Sequence, residues 1–195
     1  MKKLLRDIAN VSLGYPFRGK VEEIDPNHET ATPVVQLRNC SIEHGIDYTS
    51  CAFVESPNKA SNHYLQDQDI LFAARSSQNY AVLFEKDKAC DHDYIASLNF
   101  FIIRITDSNI LPNFLVWQLN QTICQQYFDK NSEGTAAKNI RRPIMEDLPI
   151  AIPDLATQQN IVKLAQAQNK ERQLFSQLIQ SNERIMTAIA QQINH

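Results

Sequence analysis

The run Arg75-Ser76-Ser77-Gln78-Asn79-Tyr80 collects, within six positions, side chains of the kind that read base edges. A guanidinium matches the two acceptors of guanine, and Gln or Asn amides match adenine, each in bidentate fashion in the major groove. Lys138, Asn139, Arg141 and Arg142 form a second polar group suited to clamping a phosphate backbone. Near the start, Arg18 and Lys20 stand beside Gly14, Phe17 and Gly19. Glycine permits close backbone approach to a phosphate, and the cations displace its counterions. The chemistry these twelve side chains offer is recognition of a polyanion, with base contacts expected from 75–79, the adjoining Tyr80 as a further contact, and backbone contacts from the other two groups.

Bond-breaking machinery is not written in the chain. Four glycines, at 14, 19, 45 and 134, cannot build a phosphate-binding Gly-rich loop, and there is no G-x-S-x-G or H-E-x-x-H. No lysine is preceded two positions earlier by Asp or Glu, so the carboxylate-plus-lysine cleft of a metal nuclease is missing. Asn79-Tyr80 lacks the two prolines that an adenine methyltransferase carries between Asn and its aromatic residue. Cys40, Cys51, Cys90 and Cys124 occur singly, which reads as free thiols; with His44 and His92 they match no zinc-knuckle spacing. No catalytic residue, metal site or cofactor is expected.

At 195 residues and 22.3 kDa the chain is sized for one core with an appended element. A net charge of −3 conceals strong segregation. Lys2, Lys3, Arg6, Arg18 and Lys20 face only Asp7 in the first twenty residues, whereas 21–70 hold Arg38 and Lys59 against nine carboxylates. A polyanion would therefore be met through local patches on a fold whose other face is acidic. Apolar runs such as Phe100 to Ile103 fall far short of the roughly 20 residues of a membrane span. The basic start turns charged again before an h-region develops, so a cytoplasmic protein with no membrane partner is expected.

These side chains need positioning elements. Val34 to Leu37, Ile70 to Ala73, Tyr80 to Phe84 and Leu98 to Ile105 are rich in β-branched and aromatic residues and bounded by turn formers, which predicts a central sheet. Pro112 suits a first helical turn, and Val116, Leu119, Ile123 and Tyr127 recur at helical spacing, predicting one amphipathic helix over 112–128. Leu148-Pro149-Ile150-Ala151-Ile152-Pro153 reads as an edge strand. Asp154 and Thr157 then offer N-cap oxygens before a stretch without Gly or Pro, predicting a helix over 157–193, about 55 Å long. Its seam, Ile161, Ala165, Gln168, Arg172, Phe175, Ile179, Asn182, Met186, Ile189 and Ile193, steps alternately by four and three. A second stripe of Leu164, Leu174, Leu178 and Ile185 lies beside it. Gln168, Arg172 and Asn182 suit a coiled-coil register better than a dry core, so the helix is expected to project rather than fold back.

The order of these pieces resembles the target recognition domain of specificity subunits of Type I restriction-modification systems. The resemblance is carried by Leu5-x-Asp7-Ile8-Ala9-x-Val11-x-x-Gly14-x-x-Phe17-Arg18, Asp69 to Ser77, Leu111 to Asn120, Gly134 to Ile140 and Leu148 to Ile161. Position 76 is Ser where the family often has Gly, and one recognition domain with one spacer helix stands where the family usually has two of each. The resemblance implies an α+β fold: a mixed α/β recognition domain with a central β-sheet over 1–153, then a long helix over 154–195 that pairs as an antiparallel coiled coil. It implies a non-catalytic half subunit acting as a homodimer through Ile161, Leu164, Phe175, Leu178, Ile179, Ile185, Met186 and Ile189. Its implied partners are double-stranded DNA, DNA adenine methyltransferase subunits and, in some systems, a restriction or translocase subunit. These partners would supply S-adenosylmethionine, ATP and metal chemistry at a bipartite palindromic site. On the residues alone, a stand-alone DNA-binding regulator, a decoy half subunit and a purely structural oligomerisation module stay open.

Overall fold

The computed structural model describes residues 1–17, 22–56, 63–89, 92–131 and 138–193. The chain opens on β1 (Lys2–Leu4), a 3-10 turn (Leu5–Asp7) and β2 (Ala9–Leu13), then β3 (Ala31–Val35), the hairpin of β4 (Cys40–Ser41) and β5 (Gly45–Ile46), and β6 (Ala52–Glu55). Next come β7 (Ile70–Ala73), β8 (Arg75–Ser76), β9 (Ala81–Leu83), β10 (Ile95–Ala96) and β11 (Phe100–Ile105). The remainder is α1 (Pro112–Leu119), α2 (Thr122–Asn131), β12 (Lys138–Asn139), α3 (Arg142–Glu146), β13 (Pro149–Ala151) and α4 (Leu155–Ile193). The architecture is α+β.

An antiparallel sheet, β2-β11-β7-β9, forms the centre. Strand alternation splits its side chains cleanly. Ile70, Phe72, Phe101 and Ile103 pack with Leu5, Ile8, Leu115, Leu119, Phe128 and Met145 on one face. Leu71, Ala73, Phe100 and Ile102 pack with Val35, Phe84 and Tyr94 on the other. Both faces are covered, which is why these strands read as unbroken apolar runs rather than as alternating ones. A second sheet, β10-β3-β6, joins the first where Tyr15 bridges Ser97. The strand anticipated over Val34 to Leu37 instead ends at Val35, and a 3-10 turn follows at Leu37–Asn39.

The single helix expected over 112–128 is two helices. Asn120 ends α1 because its amide serves the free edge of β9: Oδ1 accepts from Ala81 N at 2.8 Å and Nδ2 donates to Ala81 O at 2.9 Å. Gln125 Nε2 then caps Leu119 O at 2.9 Å. After the break α2 buries Cys124 and Phe128, and Ile123, expected on the buried face, is 81% exposed.

Ion pairs close the fold at its margins. Arg104 grips the buried Asp69 with two hydrogen bonds of 2.8 and 2.6 Å. Lys3 holds Asp107 at 2.7 Å, tying β1 to the turn after β11. That ammonium first, and the Asn109 backbone and side-chain N–H groups next, pull the Asp107 carboxyl down to about 2 from its ordinary 3.8. A carboxyl lowered on folding contributes stability above its unfolded pKa and loses it as pH falls through the folded one. Stability should therefore decline between pH 3.8 and about 2, and Asp107→Asn should flatten that part of the curve. Urea midpoints measured against pH check this; a variant curve parallel to the wild type over that interval contradicts it.

Asp154 starts α4 by accepting from Thr157 N at 2.8 Å and Thr157 Oγ1 at 3.1 Å. The helix runs for 39 residues, about 58 Å at 1.5 Å per residue. Ile161, Val162, Ala165, Asn169 and Gln173 are half-buried on the domain, and every described residue from 174 onward is exposed. No helix among the described residues is long and apolar enough to cross a membrane.

Candidate nucleic-acid interface

The register of the central sheet brings distant segments to one of its ends. Phe101 pairs with Leu13, Phe100 with Ala73, and Phe72 with Ala81. The chain leaving β2, the loop between β7 and β9, and the turn before β11 therefore emerge side by side.

Gly14 makes the first of these possible. Its amide donates to Phe100 O at 3.0 Å, and a Cβ there would lie 2.1 Å from Ser97 O. The close approach anticipated at this glycine is thus to the protein's own backbone, not to a phosphate. Tyr15 N donates to Ala96 O at 2.7 Å, and the Tyr15 and Phe17 rings meet edge to face with centroids 5.0 Å apart. Arg18 and Lys20 lie outside the described residues.

The loop over 74–80 is locked from beneath. Ala74 N and Arg75 N both donate to Asn99 O, at 2.9 and 3.2 Å, and Ala73 N donates to Tyr80 O at 2.8 Å. Asn79, expected among the base readers, does not face outward, and neither does Tyr80. Asn79 is buried with Nδ2 donating to Ala73 O at 2.7 Å, and the Tyr80 hydroxyl donates to Cys40 O at 3.2 Å. Burial, with the Cys40 thiol beside it, pushes the Tyr80 phenol up to about 12. The Asn79 Nδ2 bond shapes the loop, and the Tyr80 hydroxyl ties it to the segment at Leu37–Cys40. Arg75, Ser77 and Gln78 are exposed, Ser76 is half-buried, and Arg75 has no ion pair among the described residues.

β12 joins this loop by pairing with β8, Lys138 opposite Ser76 and Asn139 opposite Arg75. Ser76 sits in that ladder with an ordinary backbone; Gln68 is the one described non-glycine residue with positive φ, so the serine needs no glycine's freedom. Ile140 N donates to Ala74 O at 3.0 Å with its side chain buried, and Arg141 follows, exposed, as the residue before α3. Arg142 is bonded to Glu146 at 2.8 Å, which offsets its charge. The backbone segments at 75–76 and 138–140, separate in sequence, are thus held side by side; the Lys138 side chain lies outside the described residues.

Among the described residues no three metal-ligating side chains converge. Burial pushes the Cys40 thiol up to about 12, with Cys51 adding to it, and Cys124 up to about 11, so neither is a thiolate near neutral pH. Two residues with structural roles were not singled out from sequence: Asn120, which meets Ala81 only in the fold, and Gln158. The latter is fully buried, and its spacing to Ile161 and Ala165 placed it on the helix face that meets the domain.

The structure matches the Type-I restriction-modification system S subunit from M. genitalium at a TM-score of 0.58 and 15% identity, covering 94% of this chain and 42% of that one. It matches the HsdS subunit from Thermoanaerobacter tengcongensis at 0.58 and 13%, covering 88% and 37%. A third match is to a chain of a type I R-M system described for its complex assembly and conformational transition, at 0.53 and 14%, covering 89% and 39%. The chain thus spans about two fifths of the length of these relatives. No curated protein sequence matches it. The family model for the Type I restriction modification DNA specificity domain matches residues 3–195, and the chain belongs to that family.

Proposed function

We propose that this chain is a non-catalytic DNA-reading subunit of a Type I-like restriction-modification system. Residues 1–153 bind double-stranded DNA sequence-specifically, and residues 154–195 pair with a second copy as an antiparallel coiled coil. The pair directs a DNA adenine methyltransferase, and a restriction or translocase subunit where the system has one, to a two-part site. A C2 pair presents the same surface twice, so the two half-sites are inverted copies. The observation that supports this best is the pairing of the backbone at 75–76 with that at 138–139 at one sheet end, with Arg75, Ser77 and Gln78 exposed on a loop held by Asn99 O, which accepts from Ala74 N and Arg75 N, and by Ala73 O, which accepts from Asn79 Nδ2. A reader whose loop is fixed before binding loses less conformational freedom on meeting DNA.

The pairing half of the proposal draws on the outer face of α4. Leu164, Phe175, Leu178, Ile179, Ile185, Met186 and Ile189 are 44–65% exposed. At helical spacing, Ser176, Gln180, Glu183, Thr187 and Gln191 extend the domain-facing side, so beyond residue 173 the apolar stripe and the polar side diverge. Ile161 is half-buried against its own domain and contributes less to pairing than the others.

Two substitutions separate reading from clamping. Arg75→Ala should weaken binding to the preferred duplex by about 1–3 kcal/mol and relax sequence preference. Arg141→Ala should weaken all sequences alike and reduce the slope of log K against log salt by about 1. Titrations on preferred and scrambled duplexes at several salt concentrations check this; identical behaviour of the two variants contradicts the division of roles.

A further inference from the structure

Helix α4 leaves the recognition domain in one direction, and two polar attachments hold it there. The first is Gln158. Its Oε1 accepts from Leu111 N at 2.9 Å, and its Nε2 donates to Asn109 O at 2.8 Å and to Pro153 O at 2.9 Å. The three partners lie in backbone leading into α1 and α4, so one buried amide ties the beginnings of both helices together. The second attachment is the tip of the β4–β5 hairpin. Glu43 O accepts from Gln173 Nε2 at 3.0 Å and from Asn169 Nδ2 at 3.5 Å. Between the two, Val162 and Ala165 line a groove with Val116 and Trp117 of α1.

Fifteen residues separate Gln158 from Gln173, about 22 Å along the axis. One attachment on a rigid rod leaves a pivot, whereas two this far apart define a direction. From 174 to 193 the helix extends a further 30 Å or so without burial. A tilt of about 10° at the joint moves the far end of that segment by roughly 5 Å, more than the 3.4 Å rise of one base pair.

We propose that Gln158 and the Glu43 hairpin tip are positioning residues: by setting the exit angle of α4 they set the number of unread base pairs between the two half-sites. This rests on the paired reading above. The measure is a spacer profile, the affinity of the full chain for duplexes whose two half-sites are separated by a spacer varied one base pair at a time. A residue that only supports stability lowers every point of that profile together, whereas a positioning residue changes its width.

The variants are N169A/Q173A, which removes only the hairpin attachment through surface side chains, and Q158A, which removes the buried one. Wild type should prefer one spacer by about tenfold over its neighbours. N169A/Q173A should keep the dimer mass in light scattering and its best affinity within about threefold, while the preference over neighbouring spacers falls to about twofold. Q158A should broaden the profile at least as much, and if it does not fold the double variant alone decides. An unchanged profile in the double variant, or a wild type that binds all spacers equally well, overturns the proposal. Absence of any two-part site defeats the paired reading itself, an outcome distinct from either of these.

Discussion

Replacing Phe175 and Ile179 together by aspartate is expected to turn a paired chain into a single one, with the dissociation constant raised by about a thousandfold or more. Both side chains are 58% exposed, on the stripe shared with Leu178, Met186 and Ile189. Burying an aliphatic or aromatic side chain on association is worth about 1.5–3 kcal/mol. Each copy contributes both side chains, so four burials are lost; with each already partly covered in the single chain, about 1 kcal/mol apiece removes on the order of 4 kcal/mol, which is three decades in affinity, before the cost of placing carboxylates in an apolar seam is counted. Both positions lie on the exposed part of α4 beyond its half-buried stretch, so the urea midpoint of the recognition domain should stay at the wild-type value. Sedimentation or light scattering reads the mass, and a dimer that persists at micromolar concentration contradicts the assignment of this stripe to pairing.

Gly14→Ala is expected to cost about 3 kcal/mol or more. The added carbon would stand 2.1 Å from Ser97 O and 2.7 Å from Ala96 O, and both are backbone atoms that no rotamer change can move. Relief requires separating the end of β2 from the turn before β11, which breaks the bonds from Gly14 N to Phe100 O and from Tyr15 N to Ala96 O. Gly45 makes the contrast. It has positive φ but open space around it, so Gly45→Asn, a residue tolerant of that conformation, should cost little. Urea denaturation of both variants checks the pair; a Gly14→Ala protein within 1 kcal/mol of wild type, taken as roughly one side-chain hydrogen bond, would show that the close approach is not there.

What could be read in the sequence followed a physical divide between local and distant determinants. Ile70–Ala73 and Phe100–Ile105 were legible because strands buried on both faces leave unbroken apolar runs bounded by turn residues. The start of α4 was legible because Asp154 caps through its own neighbour Thr157. The break at Asn120 was not: Ile123 and Tyr127 keep the helical spacing across it, and its cause is Ala81, 39 positions away. The candidate surface divides the same way. Arg75 and Gln78 were nominated by side-chain type and stand exposed. Asn79 is a side chain of the same type, but Ala73 O draws it inward, as Leu37 O and Cys40 O draw the neighbouring Tyr80, and only the fold brings those partners near. Gly14 was noticed as a glycine that permits close approach, while what approaches it, the Ser97 carbonyl, is set by sheet register.

The central claim is that one surface, presented twice, reads DNA. The most direct test is to let the full chain select from a pool of random duplexes, sequence what is retained at moderate salt, and weigh the complex on the winning duplex by light scattering. The account predicts an interrupted palindrome bound by two copies, with enrichment lost in Arg75→Ala. Retention without sequence enrichment, or a single uninterrupted motif bound by one copy, would contradict it.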